Sequence, residues 1–143
     1  MDERTIGLEY EPNPGSLPLT ITATPPTVGS TSVIMTFEFF TSNDLTNGAE
    51  VHITFPNEIP ITGGITCTAT GSGGINSLPT CVVNSQSVTI SSIITAAILA
   101  GGSEIEINLD GIDLPSTTQE TQAFSVHTED GGNVIDRNED VTF

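Results

Sequence analysis

The residues of this chain best suited to bind a ligand are acidic ones near its C-terminus. Two acidic runs, 129–133 and 136–140, follow an earlier loop that carries two more aspartates. Ca²⁺ takes roughly 6 to 8 oxygen ligands and tolerates irregular geometry, so oxygens on adjacent loops suit it. The spacing matches no strict calcium-loop motif, and a solvated turn followed by a charged strand is the alternative. The predicted calcium ligands are Asp110, Asp113, Asp130, Asn133 and Asp136.

The two cysteines, Cys67 and Cys81, flank a segment rich in Gly and Ser. Two cysteines with no nearby histidine make a poor zinc site. A disulfide is therefore favoured over two reduced core thiols, and it would stabilise the fold by about 3 kcal/mol in the chain-entropy model. Such a bond would indicate an oxidising compartment, and so an extracellular or cell-surface location.

No pattern typical of an active site occurs in the sequence. It contains no nucleophile elbow, zinc-protease helix or dinucleotide-binding turn. His52 and His127 both fall on outward faces of predicted strands, far apart in the sequence, where a histidine is usually a solvated side chain. Glu104 and Glu106 lie on one solvated face and are interpreted as surface charge rather than as a glycosidase pair. We therefore predict that the chain is not an enzyme.

The charge balance excludes several classes of partner. Two arginines, Arg4 and Arg137, face 18 acidic residues, and the formal net charge is -16. Such charge repels a nucleic-acid backbone and an anionic membrane surface alike. The chain has no lysine, which excludes P-loop and Schiff-base chemistry. Because of the negative charge, we expect no nucleic-acid binding. No run of the sequence is long and apolar enough to cross a bilayer, so we expect no membrane insertion.

Strands must position these residues, because apolar and polar side chains alternate at intervals of roughly 10 to 20 residues. The alternation is clearest at 17–24, 33–41, 50–55, 104–109 and 122–128, with weaker strand-like segments at 65–70, 81–83, 87–91, 134–135 and 141–143. The segment 93–100 is predicted to form a short helix, because Ile94, Ala97 and Ile98 recur at helical spacing before two glycines. The predicted fold is all-β, an immunoglobulin-like antiparallel β-sandwich of about seven to nine strands with one short helix, and a jelly roll is the alternative.

The first residues are organised differently from the rest. Residues 1–16 are predicted to be an N-terminal arm and Pro-rich linker, and residues 17–143 the sandwich domain. In the arm, Ile6, Leu8 and Tyr10 alternate with polar residues. A short apolar strand of this kind either folds back on its own domain or pairs with the sheet edge of another copy. Those three residues are the predicted assembly contacts.

Several segments resemble a repeat of very large surface proteins of ciliates and other microbes. They are the run 36–39 with Leu45 and Gly48, the run 53–56, the spaced Cys67 and Cys81, the run 105–112 with 115–117, and Phe124, Thr128, Asp130, Gly132, Ile135 and Asp136. The resemblance covers about residues 17–143 and leaves out the arm. It implies an immunoglobulin-like module strung in tandem on the cell exterior, with an adhesive or scaffolding role and no catalytic residue.

These observations together predict an extracellular structural or adhesive module. It would build a surface coat, stalk or filament through strand-edge and end-to-end contacts, and its partners would be other copies of itself or neighbouring modules of the same chain. A module that binds glycan or protein through its loops is the alternative. The single tyrosine and the absence of tryptophan argue against a platform for stacking sugar rings.

Overall fold

The computed structural model describes residues 14–143 and arranges them as twelve strands, with no helix in that range. The predicted assembly residues Ile6, Leu8 and Tyr10 lie outside the described residues. The strands are β1 (Gly15–Ser16), β2 (Leu19–Thr24), β3 (Val33–Phe40), β4 (Leu45–Thr46), β5 (Glu50–Thr54), β6 (Thr66–Gly71), β7 (Thr80–Asn84), β8 (Ser87–Ser91), β9 (Ile98–Leu99), β10 (Glu104–Ile112), β11 (Phe124–Asp130) and β12 (Asn133–Val141). Three of them have only two residues. The nine longer strands agree with the predicted number of about seven to nine.

The longer strands form two sheets, which confirms the predicted immunoglobulin-like sandwich. One sheet has the order β1-β12-β11-β5-β8-β7 and the other the order β2-β3-β10-β6, while β4 and β9 form a small third sheet. All neighbours are antiparallel except β1, which runs parallel to β12. The parallel strand β1 is therefore the exception to the predicted antiparallel arrangement. Gly15 and Ser16, which the sequence analysis assigned to the linker, belong to the larger sheet.

The core lies between the two sheets and is built from alternate residues of each strand. In β3, the four inward side chains of Val33, Met35, Phe37 and Phe39 are fully buried, whereas the outward residues between them are partly or largely exposed. Three rings meet at the centre, from β3, from the residue that follows β5, and from β11: Phe37, Phe55 and Phe124 pack edge to face with centroids 5.2 to 5.7 Å apart. Each buried ring of this kind stabilises the fold by roughly 1.5–3 kcal/mol.

The predicted helix at 93–100 is wrong, because this segment is extended. Ile94 forms a bridge with Ile75, and Ile98–Leu99 pairs with β4. Ile93, Ile94 and Leu99 are buried while Ile98 is 62% exposed, so burial does not follow a helical period. The β-branched run at 93–95 favours the extended backbone, since such side chains lose rotamer freedom in a helix.

The disulfide predicted between Cys67 and Cys81 is present, with the two Cα atoms 6.3 Å apart. Cys67 lies on β6, an edge strand of the smaller sheet, and Cys81 lies on β7, an edge strand of the larger one. The bond therefore joins the two sheets along one side of the sandwich.

Within residues 14–143 there is no helix that could span a membrane.

Replacing both cysteines by alanine is expected to lower the free energy of unfolding by about 3 kcal/mol, because the bond closes a loop of 14 residues in the unfolded chain. Urea unfolding of the oxidised protein and the variant measures the difference. Reduced wild-type protein is the control and should unfold at the same urea concentration as the variant. Two thiols that react with an alkylating agent in the native, unreduced protein would contradict the bond.

Candidate functional site

The five predicted calcium ligands do not lie together. Asp110 and Asp113 lie near the C-terminal end of β10, where Asp113 accepts a hydrogen bond from the Ser32 backbone N–H at 3.0 Å. Asp130 accepts bonds from the backbone N–H and the hydroxyl of Thr46, both at 2.7 Å. Ser32 precedes β3 and Thr46 follows it, and the eight residues of β3 span about 26 Å. Asp110 and Asp113 thus lie at the opposite end of the sandwich from Asp130, so these aspartates cannot share one ion.

Two of the predicted ligands, Asn133 and Asp136, lie on β12, and their surroundings differ. Asn133 is exposed at the start of the strand. Asp136 is fully buried, and both of its carboxylate oxygens accept hydrogen bonds. Oδ2 accepts from the backbone N–H groups of Ser42 and Asn43 at 2.9 and 3.2 Å, and Oδ1 accepts from the Asn43 side-chain amide at 2.7 Å. Asp136 therefore fastens the β3–β4 loop to β12. Calcium binding through a smaller set of the predicted ligands stays a prediction.

The first strand packs against the same carboxylate. Gly15 approaches Asp136 so closely that a Cβ atom there would overlap both the carboxylate and the Asn43 amide. The Ser42 hydroxyl donates to the Ser16 carbonyl, and the Asn138 amide donates to the Leu17 carbonyl at 3.1 Å. β1 is thus held between β12 and the β3–β4 loop, and Gly15 is needed for that close approach.

The described residues also form a cluster that the sequence analysis missed, on the outer face of the larger sheet. β5 and β11 pair so that His52 lies directly opposite His127. The two imidazole rings stack with centroids 4.8 Å apart and planes 4° from parallel. The sequence carries no local signal for this pair, because only the pairing register between two distant strands brings the histidines together. Alternation had placed both on outward faces, which is correct.

Glutamates from the same two strands complete the cluster, because residues two apart on a strand share a face. His127 Nε2 lies 2.9 Å from a carboxylate oxygen of Glu129, and His52 Nε2 lies 3.7 Å from the same oxygen. His52 Nε2 also lies 3.2 Å from a Glu50 oxygen. Ligand atoms of His52, His127 and Glu129 all lie within 4.8 Å of one another. This spacing is within the range that one metal ion could bridge.

The cluster holds Glu129 in its ionised form. The hydrogen bond with His127 lowers the pKa of the Glu129 carboxyl, and the charges of His52 and His127 lower it further, while partial desolvation acts in the opposite direction. The histidine side chains are 21% and 24% exposed, so the group is half-buried but open to solvent on one side. At neutral pH Glu129 is therefore a carboxylate, which is the form that accepts hydrogen bonds and binds cations.

The outer face of the smaller sheet is acidic instead. Glu38 and Glu106 lie opposite each other on β3 and β10, with Glu104 two residues away. A side-chain hydrogen bond with Glu104 raises the pKa of Glu38, and partial desolvation and the charges of Glu104 and Glu106 raise it further. This face repels anions and other copies of itself at neutral pH.

The loops offer only modest cavities. One of them has a volume of about 530 Å³ and is lined by Asn47, Gly48, Asn76, Ser91, Ser92, Ile94 and Thr95. None of these side chains is aromatic, so the cavity lacks the flat apolar surface on which a sugar ring stacks. A more apolar groove of about 230 Å³ at the other end of the sandwich includes Pro26, Val28 and Phe143.

No protein-family model matches the chain, and no curated protein sequence matches it. Membership of the ciliate surface-protein repeats therefore stays a prediction. Among solved structures, the chain is similar to BslA, described as a bacterial hydrophobin, with 18% identity over 88% of this chain and 97% of that chain and a TM-score of 0.46.

Two further solved structures share lower identity with this chain. A family GH18 chitinase from Chromobacterium violaceum is 9% identical over 92% of this chain and 20% of that chain, with a TM-score of 0.44. A collagen-binding domain from a Staphylococcus aureus adhesin is 9% identical over 79% of this chain and 85% of that chain, with a TM-score of 0.39. At these values the likenesses are too distant to indicate what this chain binds.

Replacing Asp136 by Asn is expected to lower the free energy of unfolding by about 2 kcal/mol, because a buried charged acceptor of three N–H groups becomes a neutral amide with one oxygen. Asp140→Asn is the matched control on the same strand. Its side chain is exposed, so the change should stay within about 0.5 kcal/mol. Urea unfolding measures both variants, and equal stabilities would show that Asp136 does not fasten the loop.

Proposed function

We propose that this chain is an extracellular structural module, rather than an enzyme, that transmits tension between neighbouring modules or copies in a surface coat, stalk or filament. The observation that carries the proposal is the geometry of its terminal strands. The described chain enters the fold through β1 and leaves it through β12, and these two strands run parallel and side by side. Its partners would be other modules of the same kind, with no role for nucleic acid or membrane insertion.

The entry and exit points lie towards opposite ends of the sandwich. Gly15 pairs with Asp136, near the start of β12, beside the β3–β4 loop. The chain leaves beyond the far end of the same strand, where Phe143 donates a backbone N–H to the Thr121 hydroxyl at 3.0 Å. The seven residue steps from Asp136 to Phe143 span about 23 Å of extended chain. A module of this shape suits an end-to-end row.

Parallel terminal strands resist a pull along that row. A force applied through the two ends acts along β1 and β12, roughly at right angles to the hydrogen bonds between them. All of those bonds must then break together instead of one after another. The bonds that the Ser42 hydroxyl and the Asn138 amide donate to the carbonyls of Ser16 and Leu17 share the same load.

The disulfide and the surface charge support the same proposal. A Cys67–Cys81 bond that joins the sheets is stable in an oxidising compartment, which favours an extracellular location. A net charge of -16 keeps neighbouring modules soluble and prevents their faces from associating without specific contacts. Donation of the arm residues Ile6, Leu8 and Tyr10 to a neighbouring sheet edge stays a prediction, as does a loop-bound glycan or protein ligand.

Single-molecule pulling tests the proposal. In the first geometry, handles are attached at the two ends of the chain. In the matched control, one handle is at the C-terminus and the other at Thr27, an exposed loop residue beside Val28. Val28 and Phe143 line the same groove, so the two handle sites of the control lie at one end of the sandwich. Pulling there peels the strands apart one bond at a time.

The end-to-end geometry is expected to give the higher unfolding force. Reduction of the disulfide should lengthen the released chain by roughly 45 Å, because 14 residue steps become extensible from a Cα–Cα distance of 6.3 Å. That length change shows that the recorded event is unfolding of this domain. Equal forces in the two geometries, or a lower force end to end, would rule out a load-bearing role.

A further inference from the structure

The outer face of the larger sheet brings two imidazoles and a carboxylate to one point. His52 and His127 come from neighbouring strands, and Glu129 contacts the Nε2 atoms of both, at 3.7 and 2.9 Å. Around a zinc ion, nitrogen and oxygen ligands at about 2.0–2.2 Å lie about 3–3.6 Å from one another. The observed spacing is close to that requirement. The stacked rings need only tilt towards each other to share an ion.

The types of ligand decide which ion would bind. Imidazole nitrogen suits Zn²⁺, Cu²⁺ and Ni²⁺, whereas Ca²⁺ and Mg²⁺ prefer oxygen ligands alone. Two histidines and one carboxylate supply three positions of a tetrahedral site and leave one for water. Glu50, 3.2 Å from His52 Nε2, provides a second carboxylate beside the same nitrogen. We propose that His52, His127 and Glu129 bind a divalent transition-metal ion of the zinc class.

The surroundings of the cluster support the proposal. The Thr89 hydroxyl lies 3.3 Å from His52 Nδ1, so a hydrogen bond there orients the ring while Nε2 faces the glutamates. Partners of this kind hold metal-binding histidines in one orientation. Arg137 lies opposite His127 on β12, and its guanidinium is 3.7 Å from a Glu139 carboxylate oxygen. This ion pair partly neutralises the positive charge of Arg137 beside the cluster. The large negative net charge concentrates cations near the surface.

Such an ion would link β5 to β11, the two central strands of the larger sheet, from the solvent side. Each ligand lies on a strand instead of a loop, so the fold positions the site before the ion arrives. The site is also independent of the calcium prediction, because it shares none of the five residues named for calcium. It goes beyond the proposed structural role, and its outcome does not depend on how the module responds to force.

The test is a titration of the full chain, without a polyhistidine tag, with Zn²⁺ alone. Calorimetry should give one ion per chain, and ¹⁵N spectra of the imidazoles should show the Nε2 resonances of His52 and His127 shifting together. His52→Gln and His127→Gln should each weaken the binding at least roughly tenfold. Asp140→Asn, an exposed acid outside the cluster that forms no ion pair with Arg137, should leave the affinity unchanged and serves as the control. Ca²⁺ should leave the imidazole resonances in place.

The variants are on the solvent face, so their melting temperatures without metal should match the wild type and show that they fold. Two results would overturn the proposal. One is that wild-type chain shows no saturable Zn²⁺ binding, which would leave the cluster as a hydrogen-bonded surface group. The other is that binding survives in the double variant His52→Gln/His127→Gln, which would assign it to the acidic surface.

Discussion

The constraint on which the rest of this structure depends is the burial of every second residue of each strand between two sheets. Side chains alternate between the two faces of a strand, so a slip of one residue would turn a whole row from the core to the solvent. Phe37 and Phe124 fix the register because their rings fill the centre from opposite sheets. The same register directs His52 and His127 outward and opposite each other. Core packing thus determines the surface cluster.

Two separate fastenings hold the sides of the sandwich. At one side the Cys67–Cys81 bond joins β6 and β7. At the other, the buried carboxylate of Asp136 holds the β3–β4 loop and the close-packed Gly15 against β12. The first fastening is covalent and acts across the sheets, while the second is a set of hydrogen bonds beside the chain's entry point. Together they fit a module that is loaded through its ends, which is the proposed function.

The sequence predicted what depends on local pattern and failed where distant pairing decides. Alternation identified the longer strands and their inward faces, and composition identified the cysteine pair. Ile94 and Ile98 have helical spacing, but the backbone of their segment pairs with Ile75 and with β4, so the predicted helix was wrong. Asp113 and Asp136 were grouped because their loops were expected to be adjacent, yet β3 separates them. The stacked histidines required a pairing register that no single segment contains.

The measurement that tests this register most directly is a nuclear Overhauser spectrum of the aromatic side chains in solution. The account predicts cross-peaks between the imidazole protons of His52 and His127, and a separate set among the rings of Phe37, Phe55 and Phe124. No cross-peak should join the two sets, because they lie on opposite faces of the larger sheet. Cross-peaks from His52 to the phenylalanine rings would show that the strand is turned over, and would contradict both the sandwich register and the surface cluster.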